Sequence, residues 1–324
     1  MQSGDGWIDA LGRDSFAVVA IRTLTNDSVV IRDVTIDGRD QGYLSAYYAA
    51  GRGQAYSFHG VAAWESDVTL EGVTITRIHE CDQLQLASTQ GISEAGNSQR
   101  HIGMAHHNES IFVESCQQPH TLTLQHTTIS NFQQSAVLAW GTHQRVCLSN
   151  NVFQGRLATY HTAARMVQLG CDRPECVDLC GVSGVISHNQ FIDLGRSWPM
   201  SKHRQVHLGE ACALALFTAK ECAVEGNVLL RKDIPAWLAV ALPDGCYAHH
   251  GVVLQGKFIG SLRNNEISGF EVAVAEHDAL CATARRRFLQ TNDLQRNGKP
   301  WVVTYHAGEV VRARQEQLSE MFFW

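Results

Sequence analysis

The chain has 324 residues and 35.8 kDa, enough for one large core or two ordinary ones. With 44% hydrophobic and 18% charged residues it is neither a disordered tail nor a charged coil. A formal net charge of -6 argues against a general nucleic-acid binder, and no apolar run approaches the roughly 20 residues that span a bilayer.

One short pattern recurs along the chain: VVIRDVTI, VTLEGVTI, LTLQHTTI, VCLSNNVF, GVISHNQF, CAVEGNVL, GSLRNNEI and RFLQTNDL. Its anchors are Ile31, Leu70, Leu124, Leu148, Ile186, Val224, Leu262 and Leu289. Five residues later stand Ile36, Ile75, Ile129, Phe153, Phe191, Leu229, Ile267 and Leu294, all apolar. The third position after the anchor reads Val34, Val73, Thr127, then Asn151, Asn189, Asn227, Asn265 and Asn292. Asn suits turns, where its amide bonds nearby backbone and it tolerates the left-handed region. Five in register predict an asparagine ladder, each amide bonded to the coils above and below.

A sharp turn at Asn between short β segments describes an all-β fold: a single-stranded, right-handed parallel β-helix of about eight coils with long loop insertions. At the usual strand spacing its core is a rod of roughly 35–40 Å. The competing β-sandwich requires hairpin turns, and the one Asn-Gly pair of the sequence is Asn297-Gly298. Residues 1–324 are read as one domain. A third strand per coil is expected ahead of the anchor, with Leu138/Trp140, Leu214/Leu216 and Val252/Leu254 facing inward. The neighbours Ala139/Gly141, Ala215/Phe217 and Val253/Gln255 then form a small, apolar outer face. Val311–Trp324 is expected to form a short amphipathic helix capping the last coil.

The opening MQSGDGWIDALGRD lacks the basic and apolar regions of a secretory signal, so a surface location implies a longer chain or a missing leader. Asn26 and Asn108 head the two N-glycosylation sequons. Ten cysteines are many for a cytosolic chain and predict disulfides. Cys171, Cys176 and Cys180 sit at gaps unlike a zinc knuckle, and Cys222 reads as plain core. No cofactor is expected.

Pectin-degrading enzymes on this fold need paired carboxylates, and none of their Asn-x-Asp, Asp-Asp, Gly-His-Gly or Arg-x-Lys motifs occurs; Phe58-His59-Gly60 is the nearest fragment. A lyase needs a base and a cation facing the uronate carboxylate, and one of this class would bring calcium. The best candidate catalytic cluster is His161, Arg165, His203, Arg204 and His207, from insertions beside the fourth and fifth coils. Gly251–Lys257 has P-loop spacing, but Phe258 stands where a Ser or Thr must meet magnesium. Trp64 and Trp140 are weighed as sugar-stacking or core residues. Tyr43, Tyr47, Tyr48 and Tyr56 crowd the first long insertion, as a glycan contact or a packed loop.

The second half, about 120–300, has a further order: Asn227-Val228-Leu229, then Leu242–Cys246 (LPDGC), then Asn264 to Phe270, then His277-Asp278 and Cys281. This resembles the β-helix regions that accompany G8 domains in fibrocystin-like and hyaluronan-binding cell-surface proteins, within the wider pectin-lyase-like superfamily. The resemblance implies an extracellular, disulfide-bonded surface glycoprotein, and it carries over no catalytic residue. The first expectation is therefore a non-catalytic module, a rigid scaffold or a recognition surface for polysaccharides, glycoprotein glycans or neighbouring domains of the same chain. It involves no nucleic acid and no membrane insertion. The alternatives are a lyase or hydrolase of uronate-containing glycans, and a trimeric phage or bacterial spike.

Overall fold

The computed structural model describes residues 7–8, 14–23, 28–39, 56–78, 106–132, 135–155, 165–170, 181–193, 211–217, 220–231, 249–255, 258–277, 280 and 282–304. Each of the first seven repeats supplies one short strand before the turn and one after it. The strands before the turn form a seven-stranded parallel sheet: β3 (Ser28–Arg32), β6 (Asp67–Glu71), β9 (His120–Gln125), β12 (Gln144–Ser149), β15 (Ser183–Ser187), β18 (Cys222–Glu225) and β21 (Gly260–Arg263). Those after it form a second: β4 (Thr35–Asp37), β7 (Thr74–Thr76), β10 (Thr128–Ser130), β13 (Val152–Gln154), β16 (Gln190–Ile192), β19 (Val228–Leu230) and β22 (Glu266–Ser268).

The third strand of each coil belongs to a ten-stranded sheet. Its order is β1 (Trp7–Ile8), β2 (Asp14–Arg22), β5 (Tyr56–Trp64), β8 (His106–Glu114), β11 (Ser135–Trp140), β14 (Arg165–Leu169), β17 (Ala211–Phe217), β20 (His249–Gln255), β23 (Val272–His277) and β24 (Lys299–Thr304). Among the described strands only β1 runs antiparallel to its neighbour. Three sheets, each paired rung to rung in chain order, make a parallel β-helix and exclude the sandwich. Asn297-Gly298 starts no hairpin; Gly298 donates to the Phe270 carbonyl as the chain passes to β24.

Alternation sends one residue in two into a single continuous core. Every anchor in strands β6 to β21 lies in it, as do Ile75, Ile129, Phe153, Phe191, Leu229 and Ile267, and Phe153 stacks on Phe191 with ring centroids 4.9 Å apart. The Asn column is present. Asn189 Nδ2 donates to Asn227 Oδ1 (3.0 Å) and to the Leu148 carbonyl (2.9 Å), and Asn227 Nδ2 repeats this with Asn265 Oδ1 and the Ile186 carbonyl. Asn151 opens the column by accepting from the Thr127 amide, and Asn292 closes it by accepting from Asn265.

The left-handed residue at this corner is not the ladder Asn but the one before it. Asp33, Gly72, His126, Asn150, His188, Gly226 and Asn264 all have φ between 52° and 65°. That twist turns the next side chain inward, where an amide can reach the rungs on both sides.

Three expectations are corrected. In β11 the inward residues are Val137 and Ala139, whereas Leu138 and Trp140 join Ala62 and Phe112 in a separate outer cluster. The reason is the length of chain to the next anchor: Ala139 pairs with Leu169, and Leu169 with Leu216, but Ala139 stands nine residues before Leu148 and Leu216 eight before Val224. The inward placements of Leu214, Leu216, Val252 and Leu254 agree with the sequence reading. Second, the eighth repeat holds helix α1 (Ala282–Thr291) where the repeat predicts a strand, with Phe288 in the core. Its residues Ala, Arg, Leu and Gln favour helix, yet Leu289 and Leu294 still pack against the core and Asn292 still joins the column. Third, Cys116 and Cys147 are free thiols where cysteines are expected to pair, while Cys222 is the plain core residue expected of it, free and buried. Cys147 stands between Thr123 and Val185, and Cys222 between Gly184 and Gly260, so no cysteine lies opposite either. The proposed capping segment 311–324 and Cys171, Cys176 and Cys180 lie outside the described residues.

A second corner is tied by a carboxylate. Glu65 accepts hydrogen bonds from the amides of Cys116 (2.7 Å), Gln117 (3.0 Å) and Gln118 (3.2 Å) in the next coil. Removing it leaves three donors to water. Glu65→Ala is expected to cost about 1–3 kcal/mol and Glu65→Gln less, measured by urea unfolding.

Candidate functional site

The outer face of the ten-stranded sheet is the natural place to look, because it is the broadest surface that the coils build. Its strands bend where the pairing skips one residue. There two consecutive side chains turn inward, as Ala136 and Val137, Met166 and Val167, Ala213 and Leu214, and Ala273 and Val274 do.

Just before the bend, one register row crosses the sheet: His59, Glu109, Ser135, Arg165, Cys212 and His250. His59, Ser135, Cys212 and His250 are buried, and Arg165 is 8% exposed. His59 stacks on Phe112 at 5.1 Å, and Ser135 Oγ has no hydrogen-bond partner among the described residues. Arg165 donates from Nη1 to Gln168 Oε1 (2.9 Å), and its guanidinium carbon lies 5.0 Å from the centroid of the Phe217 ring. This long cation is thus held along the sheet against an aromatic face.

Beyond the bend the face is apolar. Ala62, Phe112 and Leu138 form one buried patch, and Ala215, Val253 and Ala275 belong to another. At its far edge Glu114 stands in register between Trp64 and Trp140, and Phe112 meets the Trp140 ring edge-on at 5.4 Å. Both tryptophans therefore face outward, with Trp140 buried and Trp64 half-buried. The small, apolar outer face anticipated for Ala215, Phe217 and Val253 is real, and the chain buries it.

Two thiols, Cys116 and Cys222, are inert. Burial, with the Glu114 and Glu65 carboxylates nearby, pushes Cys116 up to about 12, and burial alone does the same for Cys222. At neutral pH neither offers a thiolate.

Of the five candidate catalytic residues, Arg165 lies in this row; His161, His203, Arg204 and His207 lie outside the described residues. So do Asn26, Tyr43, Tyr47 and Tyr48, and of Tyr56 only the backbone, in β5, is described. Asn108 lies within β8, opposite Phe58 of β5, and the hydroxyl residue of its sequon, Ser110, is fully buried. The P-loop-like run is strand β20 up to Gln255, and Phe258 enters the core. Sequence reasoning does not single out His59, Ser135 and His250 as a group. Their spacing along the chain is irregular, and only the rung register aligns them.

The other two sheets carry outward hydroxyls, amides and charges. In the first seven-stranded sheet one row runs Arg32, Glu71, Gln125, Ser149, Ser187, Glu225 and Arg263. Its ends are closed by Arg32–Glu71 and Arg263–Glu225 ion pairs, both 2.7 Å. The Arg263 guanidinium and the Ser261 hydroxyl hold the Glu225 carboxyl below the usual range. The second displays Thr74, Thr76, Thr128 and Ser130, half-exposed, with Ser130 Oγ donating to Thr76 Oγ1 (3.1 Å). No helix among the described residues is long and apolar enough to cross a membrane. No protein-family model matches this chain, and no curated protein matches it.

Proposed function

We propose that this chain is a rigid extracellular scaffold whose two seven-stranded sheets form a recognition surface for polysaccharides, glycoprotein glycans or neighbouring domains. The observation that carries this reading is the contrast between faces. The ten-stranded sheet has an apolar outer face that its own chain buries, while the other two expose hydroxyls, amides and paired charges at one rung spacing. A repeating array of hydrogen-bonding groups suits an extended, repeating polymer, and stacked coils keep it straight without a new core per rung. The extracellular placement and the kinship with G8-associated β-helix regions rest on the resemblance of the Asn repeats and late cysteines.

A second reading, a uronate lyase or hydrolase, is favoured by Arg165, a buried guanidinium on the outer sheet face in line with His59 and His250. Glycan-array binding together with assays of unsaturated products and reducing ends separates the two. The scaffold reading predicts binding without degradation, weakened several-fold by Thr74→Asp or Thr128→Asp. Degradation that disappears in Arg165→Ala would replace it with the enzyme.

A further inference from the structure

The first rung differs from those that follow. Its core-facing residues Val29 and Ile31 are half-exposed, whereas their register partners Val68 and Leu70 are buried. Of the five large hydrophobic residues exposed among the described ones, three stand on this rung: Val18 (49%), Val30 (47%) and Val34 (42%). β3 is the outermost strand of its sheet. Within the strand itself three devices that blunt such an edge are missing: Ser28–Arg32 has no proline and no lysine, and it pairs with β6 without a bulge. Its one charge, Arg32, is turned back onto Glu71 of the second rung.

The opposite end is closed. Helix α1 lies against β21, Phe288 enters the core, and the Ile267 amide beside it donates to the Asp293 carbonyl (2.8 Å). A first rung therefore finds no open β21 or β22 on which to dock head to tail, and the complementary surface is another first rung, joined about a two-fold axis. The sequence of β3 fits this. Centred on Val30, antiparallel pairing sets Val29 against Ile31 of the second copy on the core side, and Ser28 against Arg32 outside. Among the described residues the charges of this rung, Asp14 and Arg22 in β2 with Arg32, Asp33, Asp37 and Arg39, balance, so two such ends meet without net repulsion from these groups.

We propose that the chain self-associates through its first rung, β3 of each copy pairing antiparallel with β3 of the other, so that the two sheets run on as one. Sedimentation equilibrium of the full chain over a micromolar range tests it. A dimer is expected, and Val30→Lys, which sets two ammonium groups face to face, is expected to raise its dissociation constant about tenfold or more. Thr123→Lys, in the middle of the same sheet, should leave it unchanged. A monomer throughout, a trimer, or a dimer indifferent to Val30→Lys overturns the proposal. Should Val30→Lys fail to fold, amide exchange in Ser28–Arg32 of the unaltered chain decides. Slower exchange at higher concentration supports the dimer, and exchange independent of concentration overturns it.

Discussion

Alanine at Asn227 is expected to destabilise the chain by about 3–5 kcal/mol, far more than a typical polar substitution. The side chain gives up two donated bonds, to Ile186 O and Asn265 Oδ1, and two accepted ones, from the Asn189 amide and side chain. The cost lies in what remains: the Ile186 carbonyl, the Asn189 amide and one Asn189 Nδ2 hydrogen lose these partners in a site closed to water, and each such group costs about 1–3 kcal/mol. Asp at this position is expected to be at least as damaging, because a carboxylate cannot donate to the Ile186 carbonyl. Asn292 ends the column and is half-buried, so Asn292→Ala is expected to cost about 1–2 kcal/mol. Urea unfolding of the three variants gives the order directly. Equal, small losses for Asn227→Ala and Asn292→Ala would mean that the column does not hold the coils together.

The second large effect lies in the last rungs. Glu276 stands where Leu254 faces the core one rung earlier, and its side chain is 1% exposed. Arg285 of helix α1 donates to both carboxylate oxygens (2.8 and 3.1 Å), the Leu280 amide to Oε1 and the Trp301 indole to Oε2 (both 2.9 Å). Helix and final strand are thus tied to one buried charge. Arg285→Leu, which strands that carboxylate, is expected to cost about 3–5 kcal/mol. Adding Glu276→Leu restores the apolar residue of the preceding rung, and the double variant is expected to recover most of the loss. Thermal unfolding of the two singles and the double checks this. A double variant as unstable as Arg285→Leu alone would show that packing of the helix, not the stranded charge, sets the cost.

Repetition is what makes the rung turns legible in the amino-acid sequence. A single Asn at a turn says little, but Asn189, Asn227 and Asn265 at equal spacing can satisfy one another only if the coils stack. The apolar residue five positions beyond each anchor then fixes the strand on the far side of the corner. The ten-stranded sheet is harder to place, because its register reaches the anchor through a corner of variable length. One added residue between this strand and the anchor Leu148 moves Trp140 from the inside to the outside, and alternation alone does not reveal it. Helix α1 is hidden for a related reason: Asn292 and Leu294 keep the repeat pattern after the chain has left the strand conformation. Glu276 carries no signal at all, since a lone Glu in an apolar run acquires meaning only from the Arg285 and Trp301 packed over it. The outer row of His59, Ser135, Arg165 and His250 exists only through register between residues far apart along the chain; Arg165 is its one member in the expected catalytic cluster, and His59 is marked only as a fragment of a Gly-His-Gly motif.

Hydrogen exchange at the side-chain amides of Asn189, Asn227 and Asn265, followed by nuclear magnetic resonance, tests the stacked column most directly. Each Nδ2 has one hydrogen held by the preceding turn's carbonyl and one by the next Asn, so exchange slowed by orders of magnitude relative to a free carboxamide is predicted. Exchange at the free rate in the folded protein would contradict it.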